Sequence, residues 1–131
     1  MPTTRCVAVF NSSEDLIELL RLYLENAGYV VISGHIDEIR RDKLDLDALV
    51  RQHRPSVVLY DLIPPYERNW QFVDHLRTTS PLQDIPFIIT STNAKVAREL
   101  GQRSEAIFEI FGRPFDLDEV VDAVRAAAAV A

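Results

Sequence analysis

Five short apolar runs, separated by stretches with helical spacing, restrict what this chain can fold into more than any other feature. The runs are Cys6–Phe10, Tyr29–Ile32, Ser56–Tyr60, Pro86–Thr90 and Ala106–Phe111. None alternates polar with apolar residues, as a strand with one wet face would. Continuous β-branched runs fit strands covered on both faces of a parallel sheet. Between them, Leu16, Leu19, Leu20, Tyr23 and Ala27 recur at helical spacing, with Ser12 or Ser13 as N-cap and Gly28 placed to end the helix. Leu46, Leu49 and Val50 mark a second helix, stopped by Pro55. Phe72, Val73 and Leu76 mark a third, with Asn69 as its cap, and Val96 and Leu100 a short fourth ending at Gly101. Asp116 and Glu119 form a capping-box pattern ahead of a fifth helix through Leu117, Val120, Val121 and Val124.

Five strands alternating with five helices give an α/β, doubly wound (flavodoxin-like) architecture: a five-stranded parallel sheet with right-handed crossovers on both faces. The 131 residues suit one domain, 1–131, and leave no segment for an output domain after the fifth helix. A net charge of −6 argues against nucleic acid as a partner, since phosphate binding draws on Lys and Arg. One cysteine, Cys6, rules out an internal disulfide, and the five-residue apolar run near the N-terminus is too short for a signal peptide or a membrane span. A cytoplasmic protein without membrane contact is the expectation. His35, His53 and His75 show no metal-ligand spacing with one another or with Cys6, and the four glycines make no phosphate-cradling loop.

In a doubly wound sheet, sites form beyond the carboxyl ends of the strands. Asp61 ends the third run, Ser91 follows the fourth and Arg113 the fifth. A carboxylate, a hydroxyl and a permanent cation in one crevice are a set suited to holding a phosphoryl group.

Here the chain resembles the receiver domains of bacterial two-component response regulators. VVLYDLIPP resembles that family's third strand and phosphoacceptor loop, with Asp61 as acceptor and Pro65 four residues on. PFIITST resembles the fourth strand, with Ser91 at the hydroxyl that contacts the phosphoryl group. GRPF resembles the Lys-Pro-Phe loop, with Arg113 in place of lysine. Thirty residues separate Asp61 from Ser91 and twenty-two separate Ser91 from Arg113, as in the family.

The departures are equally informative. Asn11 and Ser12 stand where the family has two acidic Mg²⁺ ligands, Asn69 where the loop has glycine, and Ile110 at the aromatic switch position. The segment HIDEIRRDKLD is several residues long for the family. With Asp61 as the remaining carboxylate, the expectation is no cofactor and no bound metal, because Mg²⁺ binds through carboxylates and phosphate oxygens. Asp61 and Arg113 sum to zero charge without a metal, so the two are expected to pair, and the pair to depress the Asp61 pKa.

The resemblance thus implies a non-enzymatic receiver-like signalling module in a phosphorelay, acting through protein contacts, with a degenerate Mg²⁺ site. Its partner would be a histidine kinase or a downstream output protein. Homodimerisation would use the fourth helix, fifth strand and fifth helix: Lys95–Gly101, Ala106–Phe111 and Leu117–Val130. Two alternatives remain: a conventional receiver phosphorylated on Asp61 by a histidine kinase, and a flavodoxin-like domain binding a small ligand or acting as an enzyme at the same crevice.

Overall fold

The computed structural model describes residues 5–41, 45–78, 82–102 and 107–130. Residues 1–4, 42–44, Ala106 and Ala131, on which the sequence reading also drew, lie outside the described residues. In chain order the elements are β1 Cys6–Asn11, α1 Glu14–Asn26, β2 Val30–His35, α2 Ile36–Arg40, α3 Leu46–His53, β3 Val57–Leu62, α4 Tyr66–Thr78, β4 Phe87–Ser91, α5 Ala94–Gly101, β5 Ile107–Gly112 and α6 Leu117–Val130. The strands form one parallel sheet in the order β2-β1-β3-β4-β5.

Strand parity sorts the core into two layers. Val7 and Val9 of β1, Val57 and Leu59 of β3 and Ile88 of β4 pack against Ile17, Leu20 and Leu24 of α1 and Val120, Val121 and Val124 of α6. Their neighbours Ala8, Phe10, Val58, Tyr60, Phe87 and Ile89 face the other way, against α2, α3, α4 and α5. Every residue of β1, β3 and β4 is buried, as the continuous apolar runs require. The edge strands β2 and β5 are only partly covered, and Val30 and Phe108 stand 45% and 41% exposed.

The expected five helices are six among the described residues. The addition is α2, built from the long segment after β2: Ile36 and Ile39 are buried, and the His35 Nδ1 accepts from the Asp37 N–H at 3.3 Å as its N-cap. Two cap assignments resolve. Ser13 caps α1, its Oγ accepting from the Leu16 N–H at 3.3 Å. Asn69 does not cap the third predicted helix, because that helix (α4) already starts at Tyr66 and Asn69 is buried within its first turns. Asp116 does cap α6, with Oδ1 accepting from the Asp118 N–H at 2.8 Å.

Candidate functional site

β3 runs one residue past Asp61, so the carboxylate sits inside the strand rather than beyond its end. It shares parity with Val57 and Leu59 and therefore faces the α1/α6 layer. Its register partner on β4 is Thr90, which shares parity with Ile88 on the same face. The Thr90 hydroxyl donates to Asp61 Oδ1 at 2.7 Å, and Arg113 Nη2 donates to Oδ2 at 3.0 Å. Both carboxylate oxygens are thus engaged, one by a neutral donor and one by a cation held through a single nitrogen.

Ser91 is placed differently from Thr90. The hydroxyl on Asp61 belongs to Thr90, and Ser91 turns its side chain to the opposite face, where its Oγ accepts from the Asn93 N–H at 3.2 Å. Strand periodicity is the reason: neighbouring residues of a strand cannot face the same side. Ser91 contributes its carbonyl instead, which accepts from the Arg113 N–H at 2.7 Å and ties the β5–α6 loop to the end of β4. That bond places the guanidinium over Asp61.

The sign of the Asp61 shift is corrected. Its side chain has no exposure to solvent, and burial pushes its pKa above the ordinary carboxylate value. The Thr90 hydrogen bond and the Arg113 charge act in the opposite direction and do not cancel that cost. Arg113 keeps 26% of its side chain exposed, and its Nε is buried with no hydrogen-bond partner among the described residues.

Asn11 ends β1 and Ser12 follows it, and neither side chain supplies charge. Asn11 is buried, and its Oδ1 accepts from the Ser13 N–H at 2.9 Å, closing the turn into α1. Glu14 and Asp15 are exposed on the first turn of α1. Among the described residues no three His, Cys, Asp or Glu side chains converge. A divalent cation does not fit this donor set: both Asp61 oxygens are committed, the Asn11 oxygen caps a turn, and a guanidinium already lies against the carboxylate.

Four further contacts were not anticipated from the sequence. Asn69 Nδ2 donates to the Ile63 carbonyl at 2.6 Å, while its Oδ1 accepts from Arg40 Nη1 at 2.9 Å. The same Arg40 lies over the Phe72 ring at 5.9 Å, so α2 holds the loop that follows Asp61. Across the top, the Tyr66 and Thr92 hydroxyls share a 2.9 Å hydrogen bond that links the β3–α4 and β4–α5 loops. The one available signal was the length of the segment after β2, which has to pack somewhere and does so with Arg40 bonded to Asn69.

No family model matches the chain. Solved structures superpose on nearly all of it. The signal receiver domain of a two-component histidine kinase from Clostridium thermocellum does so with a TM-score of 0.77 at 17% identity, covering 96% of this chain and 98% of that one. The chain has the receiver-domain fold. The chemotaxis response regulator CheY4 of Vibrio cholerae gives 0.74 at 17% identity, over 95% and 99% of the two chains. A response regulator from Thermotoga maritima gives 0.74 at 17%, over 97% and 99%. In sequence, the chain is 23% identical over 120 residues to the DNA-binding dual master transcriptional regulator RpaA of Synechocystis sp.. That match takes in 92% of this chain and 47% of the relative, so the chain spans about half of the relative's length. Within the receiver fold, Asp61 stands on the central strand β3 with its carboxylate already neutralised by Arg113.

Proposed function

We propose that this chain is a receiver-like signalling module of a two-component system that acts through protein contacts, with its phosphoacceptor position closed by a standing ion pair. One observation carries the reading: Asp61 is buried, with Thr90 on one oxygen and Arg113 on the other. An acceptor carboxylate must offer a free oxygen in line with the phosphoryl donor, and phosphoryl transfer is mostly positioning and charge neutralisation. Here the oxygen that would attack is held by a guanidinium, which cannot lose its proton. The partner is a protein, a histidine kinase or a downstream output protein, and self-association would use the α5–β5–α6 face.

The experiment is intact-mass spectrometry after incubation with acetyl phosphate, with and without Mg²⁺, on the native chain and on Asp61→Asn. The expected outcome is no Mg²⁺-dependent adduct. Millimolar Mg²⁺ should also leave the melting temperature unmoved, since a ligand bound by the folded state alone would raise it. A Mg²⁺-dependent adduct on the native chain that Asp61→Asn abolishes would return the chain to conventional phospho-acceptance.

A further inference from the structure

Beside the ion pair, between the start of α1 and the β5–α6 loop, lies a cavity of about 450 Å³. Its walls are apolar: Leu16 and Leu19 from α1, and Phe115 and Leu117 leading into α6. Arg113 and Thr92 are the lining residues with polar side chains. We infer that this cavity binds a small amphiphilic monocarboxylate, with the carboxylate on Arg113 and the apolar body against α1 and the start of α6.

Three features favour that chemistry. The volume falls within the range of small-molecule sites, roughly 300–1,000 Å³, which are mostly apolar with a few placed polar groups. The cation has donors to spare: a guanidinium carries five N–H groups, Asp61 engages one nitrogen, and the Arg113 side chain keeps 26% of its surface exposed. A carboxylate is the stronger partner for those donors, because a charge-assisted hydrogen bond is roughly twice as strong as one to a neutral amide carbonyl. Among anions a single negative charge costs least here, because the guanidinium it would share is already balanced by Asp61. Leu19, 40% exposed on the wall, gives the apolar body a surface that the fold leaves uncovered.

The same geometry makes Asp61 a competitor. A bound carboxylate and Asp61 both draw on Arg113, so ligand binding and the state of the ion pair are linked. This inference goes beyond the signalling reading and needs neither phosphodonor nor protein partner, so either can fail while the other stands.

The test is an amide NMR titration of the full chain with octanoate and 4-phenylbutyrate, each against its uncharged amide. Saturable shifts are expected at the start of α1, at Thr92 and through the β5–α6 loop, with each acid binding at least tenfold more tightly than its amide. Arg113→Gln should erase that preference. Leu19→Glu, a change at an exposed position that keeps the native spectrum, should abolish binding. Asp61→Asn should tighten it severalfold by releasing the guanidinium. No saturable shift with either acid, equal affinity for acid and amide, or shifts centred elsewhere would each overturn the inference.

Discussion

At the scale of single residues, the site is decided by which of two opposed effects is larger. Removing a carboxylate from water raises its pKa; a hydroxyl and a guanidinium lower it; at Asp61 burial prevails. The sign for stability follows. A folded-state pKa above the unfolded value, about 4 for aspartate, means stability fully present below that value and lost as pH rises through the folded pKa. Asparagine cannot ionise, so Asp61→Asn should gain on the native protein as pH rises above about 4 in urea unfolding. Arg113→Ala acts oppositely, since it leaves a fully buried carboxylate without its cation. It should cost about 1–3 kcal/mol at neutral pH, more than Asp61→Asn, with the loss shrinking in acid as Asp61 takes up a proton. A larger loss from Asp61→Asn than from Arg113→Ala at neutral pH would refute this account. The identity of the hydroxyl is open to the same kind of check. Thr90→Val removes the bond to Oδ1 and should raise the Asp61 pKa further in a carboxyl NMR titration, at a cost of about 1 kcal/mol. Ser91→Ala, acting on the other face, should leave that titration where it was.

At the scale of elements, what the sequence showed and what it hid divide along physical lines. The strands and their order along the chain were legible, because a strand buried on both faces is apolar along most of its length, as Cys6–Phe10 and Val57–Tyr60 are. Asp61 and Arg113 were legible as neighbours because strand ends in this architecture converge. Thr90 was not, because counting residues between motifs ignores which side of a strand each side chain takes. Nor was α2, whose five residues are too few to show a helical period; it is fixed by the burial of Ile36 and Ile39 and by the Arg40–Asn69 bond. The β5 edge carries a subtler device. Its register with β4 slips between Phe87 and Ile88, so that Phe108 is passed over and left exposed while Ile107 and Ile110 both turn toward the α4/α5 side. The helix–strand packing there leaves room for glycine at two places, with unequal consequences. A Cβ on Gly112 would stand 2.9 Å from the Ala94 Cβ, an atom fixed to the α5 backbone. Gly112→Ala should therefore push α5 away from β5 and destabilise by about 1–3 kcal/mol. A Cβ on Gly101 would meet Ile110 Cδ1 at 2.9 Å, the free end of a side chain that can turn, and alanine regains up to about 1 kcal/mol of helix propensity. Gly101→Ala should be close to neutral in the same denaturation assay, and equal losses from both variants would contradict the packing described.

At the scale of the whole molecule, the site and the candidate contact face lie on the same sheet but are joined by a short and stiff route. Asp61 and Thr90 sit on the central strands, Arg113 follows β5, and the face in question is α5, β5 and α6. Passing a signal along it requires an element with two arrangements of similar free energy. The resemblance places a swinging aromatic ring at Ile110, and this chain offers nothing equivalent there. Ile110 has no polar tip to prefer water, and it packs with the core next to Gly101, whose missing side chain makes room for its Cδ1. The loops above the site are tied as well, β3–α4 to α2 through Asn69 and Arg40, and β3–α4 to β4–α5 through Tyr66 and Thr92. The expectation is therefore a preformed face, whose presentation does not depend on the charge at the site. Asp61→Asn removes that charge without enlarging the side chain. Its amide spectrum should therefore differ from the native one around Asp61, Thr90 and Arg113, with changes across Lys95–Gly101, Ile107–Phe111 and Leu117–Val130 no larger than the scatter of the assignment. Broad shifts through α5 and β5 on that substitution would mean that the face is switched after all, by a movement other than a rotation of the side chain at position 110.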